Sequence, residues 1–238
     1  MKGAIAVIPA RGGSKRIPRK NVRDFCGKPM IAWSIGAALE SGLFERVIVS
    51  TDDPEIREIA IAHGAEIPFD RPEELANDHA GTLPVIRHAV QWLRDSHSPV
   101  VNVCCIYATA PFLNAGVLQK AYHLLQSDTD IEFAFTAAPF DFPIFRAIRL
   151  DDTQNVSMFW PEHETTRSQD LPAAYHDAGQ CYWGTAEAWL TRDLIFSSHC
   201  RAVVLPPHLV QDIDTPEDWL QAELKFHALR DHDERRDF

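Results

Sequence analysis

The chain alternates short apolar runs with amphipathic segments. Continuous apolar runs predict buried strands over residues 3–8, 46–51, 65–69, 100–107, 132–138 and 200–205. Apolar positions at helical spacing, together with capping residues, predict helices over residues 29–41, 53–63, 83–93, 114–126 and 215–229. Strands and helices therefore follow one another in turn over about the first 140 residues.

This alternation predicts an α/β fold with a Rossmann-like, open and mostly parallel sheet that carries helices on both faces. In such sheets, ligands bind in the crevice at the carboxyl ends of the strands. Residues from about 140 to 185 break the alternation with prolines, aromatic residues and short extended pieces. We expect this irregular insertion to cover the binding site or to form a homodimer contact. All 238 residues are predicted to form a single domain.

The sequence lacks the features of a targeted or membrane-bound protein. Its first segment, MKGAIAVIPARGG, turns polar too soon for a signal peptide, and no apolar run approaches the ~20 residues that span a bilayer. We therefore expect a cytoplasmic protein with no membrane partner. Its five cysteines include no CxxC pair, which argues against a disulfide framework and against a thiolate zinc site.

Charge is distributed unevenly along the chain. The formal net charge is -11, yet residues 11–28 hold seven Lys or Arg and one acid. Binding to nucleic acid would need a basic surface over much of the domain, and the acidic remainder of this chain would repel a polyphosphate backbone. The local excess of cations favours a small, strongly anionic ligand instead.

The basic stretch IPARGGSKRIPRKN (8–21) lies between the first predicted strand and the first predicted helix. At the carboxyl edge of the sheet, Gly12 and Gly13 would let the backbone approach a phosphate and turn N–H groups toward it. The stretch contains neither the GxxxxGKS/T pattern of a P-loop nor the GxGxxG of a dinucleotide turn. A solvated basic loop is the alternative, but seven cations in one loop of an acidic chain favour anion binding.

Two aspartates, Asp212 and Asp214, are spaced as they would be on one side of an extended segment. Two carboxylates on one side suit a magnesium ion that also takes oxygen ligands from phosphates and water. Alternatively, Asp214 helps Thr215 to cap the following helix. The spacing by itself leaves both interpretations open.

Six segments of this chain resemble the cytidylyltransferases that activate nonulosonic acids as CMP-sugars. In the family's order, they are IPARGGSKRIPRKN (8–21), STDD (50–53), RPEELANDHAGT (71–82), YATAPF (107–112), YHDAGQCYWG (175–184) and DIDTPED (212–218). Within that family, YATAPF and the YHDAGQ segment resemble the enzymes for pseudaminic acid, where the sialic acid enzymes carry a QPTSP-type segment. The resemblance implies a nucleotide-diphospho-sugar transferase type of fold, a Mg²⁺ cofactor, and a reaction of CTP with a nine-carbon 2-keto sugar acid that yields a CMP-sugar and pyrophosphate.

The resemblance also implies roles for individual residues. With the two glycines included, the residues expected to bind CTP are Arg11, Gly12, Gly13, Ser14, Lys15, Lys20, Asn21, Arg71, Asp78, Ala80 and Thr82. The residues expected to face the sugar are Tyr107, Thr109, His176, Asp177 and Gln180. The expected catalytic residues are Arg11, Lys15, Lys20 and Asp214, and the expected metal ligands are Asp212 and Asp214. In an in-line attack on the α-phosphorus, the cations would neutralise the triphosphate and the departing pyrophosphate.

The sugar end is less defined. Arg146 or Arg167 could meet the sugar carboxylate, and His176 could equally be a hydrogen-bonded structural residue. Tyr182 and Trp183 are expected in the core, and Cys181, at a position where the family leads us to expect an aromatic residue, is expected to be a small buried thiol. The sugar hydroxyl must lose its proton, either through polarisation by the metal or through a carboxylate relay.

Four rival functions share some of these features. A different sugar nucleotidyltransferase would share the glycine-rich basic loop. A glycosyltransferase would also combine a Rossmann-like half with an Asp-x-Asp metal site, but it would release no pyrophosphate from CTP. A nucleotide-sensing domain would bind CTP without turnover. The same cytidylyl transfer to sialic or legionaminic acid is the fourth alternative.

Overall fold

The computed structural model describes residues 3–77, 80–98 and 100–234. The strands are β1 (Ala4–Pro9), β2 (Asp24–Phe25), β3 (Lys28–Pro29), β4 (Arg46–Ser50), β5 (Asn102–Ile106), β6 (Phe133–Pro139), β7 (Ile148–Leu150), β8 (Val156–Met158), β9 (Tyr175–Thr185) and β10 (Cys200–Val204). The helices are α1 (Met30–Glu40), α2 (Pro54–Ala62), α3 (Thr82–Asp95), α4 (Ala115–Leu125), α5 (Ala186–Thr191) and α6 (Pro216–Glu234). All five predicted helices are present, and α5 is an additional one.

Six strands form the central sheet in the order β10-β6-β9-β5-β1-β4. Five of them are parallel to one another, and β9 alone is antiparallel to its neighbours β5 and β6. The predicted open, mostly parallel sheet is therefore confirmed. The predicted irregular insertion included residues 175–185, and this part of the prediction was wrong. The run from Gln180 to Gly184 is buried because β9 lies inside the sheet between two strands.

The strand predicted over residues 65–69 does not form. Glu66 makes one isolated parallel bridge to Ile48 of β4, with hydrogen bonds to the backbone of Val47 and Val49. Pro68 follows two residues later, and proline has no N–H with which to extend a ladder. The sheet therefore ends at β4 on this side.

Helices cover both faces of the sheet. On one face α1, α2 and α4 bury residues such as Ile35 and Leu118, and on the other α3 and α5 bury residues such as Val90 and Trp189. Burying apolar area in this way is the main source of stability for such a layered fold. The carboxyl ends of β1, β4 and β5 lie together at one edge of the sheet, between the two layers of helices.

A third apolar cluster packs the basic stretch against the segment that contains the two predicted metal ligands. It contains Ile17 of the basic stretch and Ile213, which lies between the two predicted metal ligands, and it packs them with Phe25 and with Trp219 of α6. Phe25 and Trp219 meet edge to face at 5.4 Å between ring centroids. Apolar packing therefore holds the basic stretch beside the acidic pair.

The irregular insertion is present over residues 140–174. It carries the small antiparallel hairpin of β7 and β8 and several exposed apolar side chains, among them Phe142, Ile148 and Phe159. None of the helices in the described part of the chain is both long and apolar enough to cross a membrane.

Candidate active site

A cavity of about 550 Å³, here called the main cavity, lies where β1, β4 and β5 end. This location is the one predicted for an open parallel sheet. Its lining residues are Pro9, Arg11, Ser14, Lys15, Arg16, Lys20, Asn21, Arg71, Ala80, Gly81, Thr82, Val85, Tyr107, Ala108, Thr109 and Asp214. Five of these residues are cationic and one is acidic, so the cavity is positive in a chain whose net charge is negative.

Gly12 fixes the path of the basic stretch. Its N–H donates to Oδ1 of Asp52 at 3.1 Å, and a Cβ at this position would lie 2.5 Å from Oδ2 of Asp53. Glycine is therefore required by close packing against the start of α2. This geometry corrects the predicted role of Gly12, because its N–H is directed to Asp52 and is not presented to a phosphate.

Asp53 is held from two sides. It caps α2 by accepting from the Ile56 N–H at 3.0 Å, and it receives two hydrogen bonds from the Arg19 guanidinium. The hydrogen bond from Arg19 is the main reason that the pKa of Asp53 lies below its ordinary value. Arg19 itself has a φ of 57°, an unfavourable value for a side chain with a Cβ. The contact with Asp53 and Glu55 offsets that strain.

Arg71 and Asn21 connect the cavity wall to the strand ends. The Arg71 guanidinium donates to the carbonyl oxygen and, at 3.1 Å, to the hydroxyl of Ser50, and only 6% of the residue is exposed. Burial lowers the pKa of Arg71 to about 10, against the opposing charge of Asp52, so the side chain remains charged at neutral pH. Asn21 donates its amide to the Arg11 carbonyl at 3.0 Å, which closes the basic stretch into a loop.

The acidic pair lies on a segment without regular secondary structure, which the buried Ile213 anchors. Asp214 Oδ2 accepts from Arg16 at 2.8 Å, and its Oδ1 lies 3.3 Å from the ammonium of Lys20. Local burial, followed by the charge of Asp214, raises the pKa of Asp212. Asp214 lines the main cavity and Asp212 does not, so the arrangement of both carboxylates on one side stays a prediction.

The alternative role of Asp214 as a cap is not what the geometry shows. The oxygen Oδ2 of Asp218 accepts from the backbone N–H groups of Asp214 and Thr215, and the Thr215 hydroxyl accepts from the Asp218 N–H at 3.2 Å. Thr215 and Asp218 therefore form the reciprocal cap of α6. The Asp214 carboxylate is left to face the cations of the basic loop.

A second cavity of about 500 Å³, here called the side cavity, shares Gly81, Thr82 and Tyr107 with the main one. The Thr82 hydroxyl and the Tyr107 hydroxyl lie 3.0 Å apart and form the boundary between the two. On the far side, the Tyr182 hydroxyl donates to Asp177. The remaining wall is largely apolar and includes the 194–196 segment, Leu-Ile-Phe. Two adjoining spaces, one cationic and one mixed, can hold two substrates side by side.

Comparison with known proteins decides the family. The family model described as Cytidylyltransferase matches residues 5–218. This chain belongs to the cytidylyltransferase family. It is 48% identical over 215 residues to the pseudaminic acid cytidylyltransferase of Campylobacter jejuni, a match that covers 90% of this chain and 92% of that protein. It is 30% identical over 215 residues to the N-acylneuraminate cytidylyltransferase of Escherichia coli, covering 90% of this chain and 50% of that protein.

A solved structure of CMP:2-keto-3-deoxy-manno-octonic acid synthetase complexed with CTP has the same fold. The TM-score is 0.70 at 18% identity, and the match covers 95% of this chain and 99% of that chain. The nucleotidyltransferase type of fold predicted from the sequence is therefore confirmed for this cytidylyltransferase.

Eight of the eleven predicted CTP residues of this cytidylyltransferase gather in one place, and Gly12 and Gly13 do not line that cavity. Arg11, Ser14, Lys15, Lys20, Asn21, Arg71, Ala80 and Thr82 all line the main cavity. Asp78 lies outside the described residues. Ala80 and Gly81 precede the first turn of α3, so this wall carries the positive end of a helix.

The predicted sugar residues separate into two groups. Tyr107 and Thr109 line the main cavity, and Asp177 lines the side cavity. His176 and Gln180 line neither, which corrects their predicted placement. The shift in register between β6 and β9 gives the reason, because a bulge at this point in β9 changes which side chains share a face.

The two displaced residues make structural contacts instead. The His176 ring packs edge to face on Phe140 and its Nδ1 contacts the Asp177 carbonyl at 2.9 Å, whereas Gln180 is 3% exposed and donates to the Leu209 carbonyl at 2.6 Å. These contacts of His176 agree with its interpretation as a hydrogen-bonded structural residue. Cys181 is fully buried, as predicted.

Sequence reasoning missed four contributions to the site. Arg16 forms an ion pair with Asp214, and Arg19 forms one with Asp53. Both arginines belong to the basic stretch, and the sequence does not indicate which acid each of its cations will contact. Tyr182 was assigned to the core, and although it is buried, its hydroxyl reaches Asp177 in the side cavity. The apolar wall at residues 194–196 has no motif of its own. If the bulge in β9 had been anticipated, Tyr182 would have been identified as a residue of the side cavity.

Proposed function

We propose that this chain transfers CMP from CTP to the anomeric hydroxyl of a nine-carbon 2-keto sugar acid, pseudaminic acid, with release of pyrophosphate. The observation that supports this proposal is the main cavity. Five cations and one carboxylate line it at the strand ends, and the side cavity adjoins it. The 48% identity to a pseudaminic acid cytidylyltransferase over most of both chains supports that acceptor over other nonulosonic acids.

The triphosphate of CTP is proposed to lie against the basic loop. Arg11, Lys15 and Lys20 line the cavity together with Arg16 and the buried Arg71. A buried guanidinium that is already held by Ser50 needs little reorganisation when a phosphate binds. The start of α3 at Gly81 and Thr82 would supply backbone donors for the rest of the nucleotide.

Asp212 and Asp214 are proposed to hold Mg²⁺. The test of fit is the donor set: two carboxylates lie two residues apart, one of them lines the main cavity, and carboxylate oxygens are ligands that Mg²⁺ takes. The described residues contain no group of three or more His, Cys, Asp or Glu that could enclose a metal, so the remaining ligands would come from phosphate and water. When bound, Mg²⁺ would stabilise the charge that grows on the phosphate oxygens.

The protein's own part in catalysis is positioning and charge neutralisation. The attacking hydroxyl must lie in line with the departing pyrophosphate, and the common wall of Thr82 and Tyr107 would orient the two substrates toward each other. Lys20 and Arg11 would neutralise the leaving group. Such a transfer needs no covalent intermediate with the enzyme.

The sugar is proposed to occupy the side cavity. Its wall combines the polar pair of Tyr182 and Asp177 and the cation Arg87 with the apolar segment at 194–196. Burial raises the pKa of the Tyr182 hydroxyl, so it stays a hydrogen-bond donor. Hydroxyls and apolar substituents of one sugar acid could thus be recognised together.

We also propose a homodimer, with the insertion at 140–174 as its contact. This segment exposes Phe142, Ile148 and Phe159, and exposed apolar patches of this kind mark interaction sites. Arg146 and Arg167 are in the same segment and line neither cavity of the described chain, so a role toward the sugar carboxylate would require the partner subunit. A cytoplasmic location is proposed from the expected use of CTP.

The deciding experiment is pyrophosphate release from CTP and Mg²⁺ with a panel of acids. The panel contains pseudaminic, legionaminic, N-acetylneuraminic and 3-deoxy-manno-octulosonic acids, with a reaction that lacks any sugar acid as the control. Release with pseudaminic acid alone is expected. Release with another acid and not with this one would overturn the proposed acceptor, and CTP binding without release from any acid would argue against transfer.

A further inference from the structure

A third cavity, of about 850 Å³, lies between α1, the segment after β5 and α6. We call it the rear cavity, because its lining residues do not include any residue of the main or side cavities. Trp33, Phe112 and Phe226 form an aromatic floor, and Trp33 meets Phe226 at 4.6 Å between ring centroids. A cavity of this size with an apolar floor is suited to a small organic molecule.

The charges around the rear cavity are mostly positive. Lys28, Lys225 and Arg230 line it together with one acid, Glu40. The Lys28 ammonium lies 3.7 Å from the centre of the Trp33 ring, so cation and aromatic floor are in contact. In a chain of net charge -11, this local excess of cations matches an anionic head group beside an apolar body.

Gly36 gives independent support, since it lies within α1 and lines the same cavity. Glycine is unfavourable inside a helix compared with alanine, so an interior glycine usually serves close packing. A Cβ at position 36 would find only Glu40 Oε1, at 3.9 Å, among the side chains and non-helical backbone of the described residues. No neighbour in the chain needs the space, which therefore belongs to the cavity.

The rear cavity is connected to the acidic pair through Lys225. Its ammonium donates to the Val210 carbonyl at 3.0 Å and to Gln211 Oε1 at 2.9 Å, on the segment that leads directly to Asp212 and Asp214. The segment after β5 makes a second connection, because Thr109 lines the main cavity and Pro111 lines the rear one. An anion that draws Lys225 away would alter the segment that carries the acidic pair.

We propose that the rear cavity binds a small amphipathic organic anion, with an apolar body and a carboxylate or sulfonate-like head, and that its binding changes turnover in the main cavity. The head lies near Lys225 and Arg230, and the body lies on the aromatic floor beside Gly36. This site is separate from the proposed CTP and sugar positions.

The test uses the full chain and two probes, 1-anilinonaphthalene-8-sulfonate for binding and decanoate for competition and for its effect on pyrophosphate release. Gly36→Phe fills the cavity, and Gly36→Ala is the matched control, because it also removes the helix glycine but adds only a methyl group and leaves the space open. Lys225→Gln removes the charge. We expect binding to weaken by about tenfold or more in Gly36→Phe and Lys225→Gln but not in Gly36→Ala. Decanoate should displace the dye and change the rate of the wild type and of Gly36→Ala.

Several outcomes would overturn the site. These are no binding to the wild type, equal binding to Gly36→Phe with an unchanged circular dichroism spectrum, or displacement of the dye by CTP, which would place it in the main cavity. A change in oligomeric state of Gly36→Phe on gel filtration would mean that a second copy covers this face, and would also overturn it. Binding of decanoate in the rear cavity with no change of rate would overturn the coupling to turnover.

Discussion

Lys20 places its ammonium 3.3 Å from Oδ1 of Asp214, although 194 residues separate the two in sequence. The same ammonium donates to the Ile213 carbonyl at 2.6 Å. The basic loop and the acidic pair are thus joined directly, and Lys20 and Asp214 both line the main cavity. A residue proposed to neutralise the triphosphate is therefore held in place by the segment proposed to bind the metal.

Lys20→Ala is expected to lower turnover by about 10²- to 10³-fold, because it removes a positioned charge from the phosphate site and a partner of Asp214. Steady-state rates of pyrophosphate release measure the loss. Lys120→Ala is the control, since Lys120 is an exposed residue of α4. An unchanged rate and CTP affinity for Lys20→Ala would restore the interpretation of a solvated basic loop.

Asp214→Asn is expected to reduce turnover by about 10²-fold or more, because it removes one of two proposed carboxylate ligands. CTP binding, followed by calorimetry, should survive within a few-fold, since Arg16 and Lys20 remain. The Mg²⁺ concentration for half-maximal rate should rise. Glu217→Gln, an exposed change in the first turn of α6, is the control. A wild-type dependence on Mg²⁺ in Asp214→Asn would exclude the metal role.

Gly12→Ala and Gly13→Ala form a matched pair. A Cβ at position 12 would lie 3.0 Å from Cβ of Asp53, which is fixed by Arg19 and by its cap on α2, whereas a Cβ at position 13 would make an ordinary 3.5 Å contact with Arg11. We expect Gly12→Ala to displace the loop and raise KM for CTP by about tenfold, with little effect of Gly13→Ala. Equal effects of the two changes would contradict the close-packing role of Gly12.

Asp53→Asn keeps the cap of α2 and removes the charge facing Arg19. We expect a loss of about 1 kcal/mol in the free energy of unfolding at neutral pH, a modest value because Arg19 is partly exposed. The folded-state pKa of Asp53 is depressed, so this stabilisation is fully present above the unfolded value of about 4 and is lost as the pH falls toward the folded pKa.

Thermal unfolding at a series of pH values checks this sign. The difference in Tm between the wild type and Asp53→Asn should be constant from neutral pH to about pH 5 and should shrink below about pH 4. A difference that grows on acidification would show that the Arg19 contact does not stabilise the charged carboxylate.

Tyr182→Phe removes the hydroxyl that donates to Asp177 in the side cavity. We expect KM for the sugar acid to rise by about tenfold, with KM for CTP unchanged. Tyr122→Phe is the control. Tyr122 belongs to α4, is buried in the apolar cluster between that helix and the sheet, and lines neither the main nor the side cavity. A rise in KM for CTP alone would move the sugar out of the side cavity.

Much of the fold could be predicted because its signals are local. The helix at 54–62 has Asp53 as a cap and Pro54 at its first position, and both signals operate over a few residues. The end of the sheet beyond β4 was missed although Pro68 was visible in the sequence. Strand β9 was missed for a different reason, since its neighbours in the sheet are β5 and β6, and no local pattern reports which strands will pair.

The sequence by itself determined the chemistry available at the site: the cations and glycines after the first strand, the two aspartates at 212 and 214, and their order within a recognisable family. Only the tertiary structure decided which of these groups meet. It directed the Gly12 N–H to Asp52, turned Gln180 toward Leu209 through the bulge in β9, and paired Lys20 with Asp214. The physical reason is that residue types fix charge and hydrogen-bonding capacity locally, whereas partners are set by packing between segments far apart in the chain.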